Sequence, residues 1–243
     1  MTSPKLGGSN IEEKRRPKIK KIITIFILFI CIPAIIVAGA ILFEYKSYAF
    51  ITIALTILSL IPFFVSFERQ QHGTVKLVLI AVMTALSILS RLLFAMLPGF
   101  KPVTAMVVIT AIYFGREAGF LTGALTAVVS NFYFGQGPWT PFQMFTWGLI
   151  GYIAGVLANR LKGNKILLSI YGVFAGIFYS VLMDAWTVVW WEQGFNTTRF
   201  AALLVSALPF TIIYAVSNVI FLLILSKPIG EKIQRVKTKY GIE

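Results

Sequence analysis

The sequence predicts an all-α integral membrane protein of eight spans, a six-helix core preceded by a two-helix N-terminal hairpin, with both termini cytoplasmic. Three observations carry this. Of 243 residues, 58% are hydrophobic and only 13% charged, and the mean hydropathy is +0.84. A soluble domain carries about 25% charged residues, so a surface facing water on all sides cannot be built from this stock. Apolar runs recur at lengths that cross roughly 30 Å of hydrocarbon at about 1.5 Å per residue. The 22 Lys and Arg residues, finally, fall almost entirely on alternate loops.

Taken in order, residues 1–21 form a basic cytoplasmic tail, and apolar runs at 22–43 and 47–67 form a hairpin rich in Ile, Leu and Phe. The first run also has the outline of a secretory signal, with a basic head, an apolar stretch from Ile22 to Val37 and then Ala38-Gly39-Ala40. It continues through Ile41, Leu42 and Phe43, longer than an ordinary signal core, and is taken as an uncleaved span. A polar linker at 68–75 holds Glu68-Arg69-Gln70-Gln71-His72-Gly73. Six runs rich in Gly, Ala and aromatics follow at 76–97, 102–114, 117–134, 142–159, 166–190 and 200–225. The run 102–114 is short for a full crossing and is tilted, re-entrant or extended at an end. Residues 226–243 form a second basic cytoplasmic tail.

Orientation follows from the excess of Lys and Arg that cytoplasmic loops retain. With the N-terminus inside, eighteen of the 22 basic residues are internal, and Lys46, Arg91, Lys101 and Arg199 remain on the outer side. The net charge of +13 is therefore a label of topology rather than a nucleic-acid surface.

The chain holds one histidine (His72), one cysteine (Cys31) and one aspartate (Asp184). No disulfide framework, metal site or Ser-His-Asp triad is expected from them, and no cofactor. No phosphate-binding Gly-x-x-x-x-Gly-Lys-Ser/Thr loop occurs. Uphill transport would need a partner or an ion gradient, and a proton-coupled pump shows more intramembrane acids than this.

Small residues four apart recur at Ala81/Ala85, Gly119/Gly123, Gly151/Gly155 and Gly172/Gly176. Such spacing puts both on one helix face, where another backbone approaches closely, either within the chain or from a separate membrane subunit. The second use suits Ala81 and Ala85 best. Two charges lie well inside spans, Arg91 and Asp184, about 10 Å and 9 Å below the outer ends of their helices at 1.5 Å per residue. Their similar depth permits an ion pair or a shared polar ligand.

The outer loop Asn131-Phe132-Tyr133-Phe134-Gly135-Gln136-Gly137-Pro138-Trp139-Thr140-Pro141-Phe142-Gln143 joins a Gly-Pro turn to flat rings and amides. It can cover a planar organic ligand, with Asn131, Tyr133, Gln136, Trp139 and Gln143 as candidate contacts and Trp147 one turn further in. A second outer cluster holds Trp186, Trp190, Trp191 and Asn196. An aromatic belt at the membrane surface is the competing account of these rings.

From about Lys76 to Leu225 the chain resembles the substrate-binding S-components of bacterial energy-coupling factor (ECF) transporters. The resemblance rests on the six-helix plan, on Ala81-Val82-Met83-Thr84-Ala85, on Phe114-Gly115-Arg116-Glu117-Ala118-Gly119-Phe120-Leu121-Thr122-Gly123-Ala124, and on Gly135-Gln136-Gly137-Pro138-Trp139-Thr140-Pro141. It implies a multi-pass subunit of the bacterial cytoplasmic membrane that is not an enzyme. It also implies a vitamin bound under the outer loops, and a membrane coupling subunit with two cytoplasmic ATPases to power a toppling motion. The coupling subunit would meet Ala81 and Ala85. The Gly-rich stretch from Gly115 through Gly155 is similar to the cobalamin-uptake branch. A corrin would stack on Trp139 and the Trp186 to Trp191 cluster, with Gln136, Gln143 and Asn196 reaching its amides and Arg91, Lys101 and Asp184 making polar contacts. The hairpin at 22–67 departs from the family plan. An S-component for another micronutrient, a stand-alone transporter or channel, and a lipid-phase enzyme or assembly factor are the alternatives.

Overall fold

A computed structural model describes residues 73–192 and 196–241, together with Leu58. The expected N-terminal tail, the hairpin apart from Leu58, most of the polar linker, Cys31 and His72 lie outside the described residues. Among the described residues the fold is entirely helical: α1 (Gly73–Leu93), α2 (Val103–Phe114), α3 (Arg116–Phe134), α4 (Trp139–Val156), a single turn α5 (Ala158–Leu161), α6 (Lys165–Glu192) and α7 (Thr197–Tyr240). Each of the six apolar runs from residue 76 onward coincides with one long helix. The helices run back and forth, so that α1, α3 and α6 finish where α2, α4 and α7 begin. We call this the aromatic end, and the opposite end, which holds Arg116, Lys162 and Lys237, the basic end.

The arrangement follows from which helices are apolar on every side. Ten of the twelve residues of α2 are buried, and it sits at the centre against α1, α3, α4 and α7. A helix without a polar face fits a protein core or a lipid environment, and here it takes the core. Its brevity, foreseen in the sequence, goes with an abrupt turn at Gly115, whose φ of 99° is one that L side chains rarely adopt. Three helices, Thr74–Leu93, Lys165–Glu192 and Thr197–Tyr240, are long and apolar enough to cross a membrane. They carry most of the exposed aliphatic surface, including Val78, Leu89, Ile170, Val205 and Ile224.

Three of the four small-residue pairs pack inside the chain. A Cβ on Gly119 would lie 2.7 Å from the carbonyl oxygen of Gly151, and one on Gly151 would fall on the backbone of Gly119. Gly123 abuts the backbone of Trp147, and Gly155 that of Arg116. On the other side of the molecule, a Cβ on Gly176 would meet the Ala215 nitrogen at 2.6 Å, and Gly172 lies against Val219. These contacts leave no room for a side chain, and the two antiparallel pairs, α3 with α4 and α6 with α7, form the closest packing in the fold. Ala81 and Ala85 differ: both are exposed on α1, on a face shared with Val78, Val82 and Leu89.

The C-terminal segment departs from expectation. Residues 226–240 continue α7 through Pro228 to Tyr240, where a basic tail was expected. Ile233 is buried with Ile80, Met106, Ile109 and Phe114, and the Lys237 ammonium donates to the Tyr113 carbonyl at 3.1 Å. Lys227-Pro228 ends the apolar run but not the helix. Proline removes one helical hydrogen bond, and the packing of the next turns against α2, with Gly230 and Lys237 on Tyr113, offsets that loss.

Replacing Gly151 by Leu is predicted to destabilise the protein by more than about 2 kcal/mol, because the side chain would have to displace the Gly119 backbone and the buried Val107. Thermal unfolding in detergent, set beside the exposed change Val156→Leu, checks this; equal melting temperatures for the two variants would contradict the packing.

Candidate functional site

The four-residue steps of α3 and α4 match each other in antiparallel register. Gly119 faces Gly151, Gly123 faces Trp147, and two turns further along α3 Asn131 faces Thr140 and Gln143. The close backbone contact therefore delivers two amide side chains to the same point at the aromatic end. Asn131 Nδ2 donates to Thr140 Oγ1 at 3.0 Å and to Gln143 Oε1 at 2.9 Å. Gln143 Nε2 in turn donates to the Tyr179 hydroxyl on α6 at 2.9 Å. On the other side, Arg91 Nη1 donates to Asn131 Oδ1 at 2.7 Å and to Ser130 Oγ. A relay thus runs Arg91–Asn131–Gln143–Tyr179, linking α1, α3, α4 and α6.

Arg91 is only 8% exposed. Its guanidinium lies over the Phe134 ring, 4.4 Å from the centroid, and 5.1 Å from that of Trp147. Such contacts favour a desolvated cation. No carboxylate is within ion-pair range of it among the described residues. Asp184 in particular makes no ion pair among the described residues, and its Oδ2 atom is buried without a hydrogen bond from any of them. The two charges are at similar depth, as counted along the sequence, but Arg91 turns toward α3, where Ser130 and Asn131 supply acceptors.

Beside the relay lies a cavity of about 140 Å³. It is lined by Arg91, Gly99, Lys101, Val103, Thr104, Gln143, Trp147, Tyr179, Tyr214 and Asn218. Trp147 and Tyr179 stack at 5.5 Å with 18° between their planes, and Tyr214 meets Tyr179 edge-on at 5.2 Å. Lys101 is held in place through its backbone, its N–H donating to Ser217 Oγ at 2.9 Å and its carbonyl accepting from the same hydroxyl at 3.2 Å. Its ammonium lies 4.9 Å from the Phe134 centroid. Burial and then the Arg91 charge hold the Lys101 ammonium below the usual lysine range.

Of the residues expected at the site, Arg91, Lys101, Gln143 and Trp147 line this cavity, and Asn131 braces it from behind. The others have different surroundings. Tyr133 is 72% exposed and packs edge-on against Phe134. Gln136 donates to the Val128 carbonyl at 2.8 Å, closing the loop on itself. Trp139 folds back over Gly137, where any Cβ would collide with the indole, and its ring meets Trp186 at 6.4 Å. Trp186 then stacks on Trp190 at 6.2 Å. Those three indoles form a row beside the cavity rather than its wall. Asn196 caps α7, accepting from the Arg199 N–H at 3.0 Å. Sequence reasoning passed over Tyr179, Tyr214, Ser217 and Asn218. A signal was present: Thr211, Tyr214 and Asn218 follow at steps of three and four in an otherwise apolar helix, a polar stripe turned inward.

Among the described residues no group of three or more His, Cys, Asp and Glu could hold a metal ion. A model of one protein family matches residues 71–231, and its description is ECF-type riboflavin transporter, S component. The chain belongs to this family. It is thus a substrate-specific membrane subunit of a vitamin-type transporter, and S-components are transport subunits rather than enzymes. Searches of curated proteins and of solved structures returned no match.

Asn131→Ala leaves the buried Arg91 short of an acceptor and Gln143 short of a donor. A loss of about 1–3 kcal/mol is expected in chemical or thermal unfolding. Wild-type stability in that variant would show that the relay does not hold the site.

Proposed function

We propose that this S-component captures a flavin, riboflavin in the first instance, in the cavity between Trp147, Tyr179 and Arg91 at the aromatic end. The observation that carries the reading is the composition of the cavity wall. Flat aromatic rings stand beside an amide on each of two helices, Gln143 and Asn218, and a fixed arginine. An isoalloxazine is a flat tricycle whose pyrimidine edge alternates acceptor, donor and acceptor. The amides complement that edge, and indole and phenol rings complement its faces. The family description names riboflavin transport, which supports the same substrate class.

The expected cobalamin cargo draws no such support. The matching family model is described by riboflavin and not by a corrinoid, and the flat rings and amides of the cavity wall suit a planar tricycle. The indoles of Trp139, Trp186 and Trp190, to which the corrin was assigned, pack on one another and do not line the cavity.

In this reading the aromatic end faces outward and the basic end faces the cytoplasm of a bacterium, in accord with the distribution of Lys and Arg. Transport requires a membrane coupling subunit and two ATPases. The exposed stripe of Ala81 and Ala85 on α1 is the docking face for the coupling subunit.

Titration of the purified chain in nanodiscs with riboflavin, without nucleotide, tests the proposal. Saturable quenching of flavin fluorescence at micromolar concentration or below is expected. Trp147→Ala should weaken binding at least tenfold and Trp139→Ala much less, and cyanocobalamin should not compete. Absence of saturable quenching, or displacement by cyanocobalamin, would overturn the assignment.

A further inference from the structure

The cavity carries two cations and, among the described residues, no anion. Arg91 has five N–H donors, and the hydrogen bonds it makes, to Ser130 and Asn131, both come from Nη1. Among the described residues the Lys101 ammonium makes no hydrogen bond or ion pair, and it lies over the face of Phe134. Both charges thus lie within 5 Å of one ring centroid and face the same space. Asp184 does not line the cavity. Two like charges held together in a partly buried site repel, and neither is paired with a carboxylate among the described residues.

The arrangement is built rather than incidental. Ser217, fully buried on α7, clamps the Lys101 backbone on both its N–H and its carbonyl. Arg91 is fixed by α3. A loop lysine that served only to mark membrane orientation would not need a buried clamp, and on the outer side it would run against the positive-inside rule.

Resting on the flavin reading above, we propose that the cargo carries an anionic group, and that among flavins the site prefers the 5′-phosphate ester to the neutral vitamin. The phosphate sits between Lys101 and Arg91, and the ring lies against Trp147 and Tyr179. A phosphomonoester brings up to two negative charges and three acceptor oxygens, which match the unused ammonium and guanidinium donors. Neutral riboflavin can occupy the ring portion of the site and leaves the Lys101 donors unmatched.

The test compares riboflavin with its 5′-phosphate on the full-length protein in nanodiscs, for wild type, Lys101→Gln and Lys101→Arg. Wild type is expected to bind the phosphate ester at least tenfold more tightly than riboflavin. Lys101→Gln should weaken the ester at least tenfold more than it weakens riboflavin, and Lys101→Arg should retain the preference. Thermal unfolding of each variant confirms that the fold is intact. Equal or weaker binding of the ester by wild type, or equal losses for both flavins in Lys101→Gln, overturns the anion site while the flavin assignment stands. Failure of both flavins to bind wild type overturns both.

Discussion

The backbones of α3 and α4 touch at Gly119 and Gly151, and the functional end of the molecule depends on that contact. Helices that approach so closely cannot slide, because each missing side chain on one is filled by the main chain of the other. Once Gly119 and Gly123 are seated against Gly151 and Trp147, Asn131 and Gln143 have one relative position. That position is a hydrogen bond of 2.9 Å. The packing motif and the binding motif are therefore the same periodicity, read at two ends of one helix pair.

Electrostatics gives the relay its weight. A buried guanidinium is costly unless its donors and its charge find partners. Here Ser130, Asn131 and the faces of Phe134 and Trp147 supply them from two helices, so Arg91 ties α1 to the α3–α4 pair. Gln143 extends the tie to α6 through Tyr179, and Ser217 on α7 fixes Lys101. Five of the six long helices thus meet at the aromatic end through polar contacts. The basic end is closed mainly by apolar contact, with Ile233 of the extended α7 among Ile80, Met106 and Phe114. A polar, positively charged mouth and an apolar base suit a subunit that receives a ligand at one end only.

Much of this was legible in the sequence for simple reasons. Apolar run length located all six described long helices, because the hydrophobic period and the bilayer dimension are both one-dimensional quantities. Intramembrane charge singled out Arg91, and the Gly-Pro loop drew attention to Asn131 and Gln143. Facing was harder. Depth alone suggested Arg91 with Asp184, whereas rotation about the helix axis sends Arg91 to α3 and leaves Asp184 unpaired among the described residues. The corrin was assigned to Trp139 in the loop, but that indole folds back onto Gly137, and the deeper Trp147 lines the cavity. Tyr179, Tyr214 and Asn218 were missed because neutral polar groups in an apolar helix are less conspicuous than charges. The extension of α7 past Pro228 was missed because hydropathy ends at Leu225 while helical hydrogen bonding does not.

The central claim is that the cargo binds in the Arg91–Trp147–Tyr179 cavity and not on the indole row. A ligand-bound structure of the purified chain, obtained after incubation with flavin, tests it most directly. The account predicts the isoalloxazine ring in van der Waals contact with Trp147 and Tyr179, its pyrimidine edge within hydrogen-bonding distance of Gln143 or Asn218. A ring stacked instead on Trp139, Trp186 or Trp190, with the cavity unchanged, would contradict it.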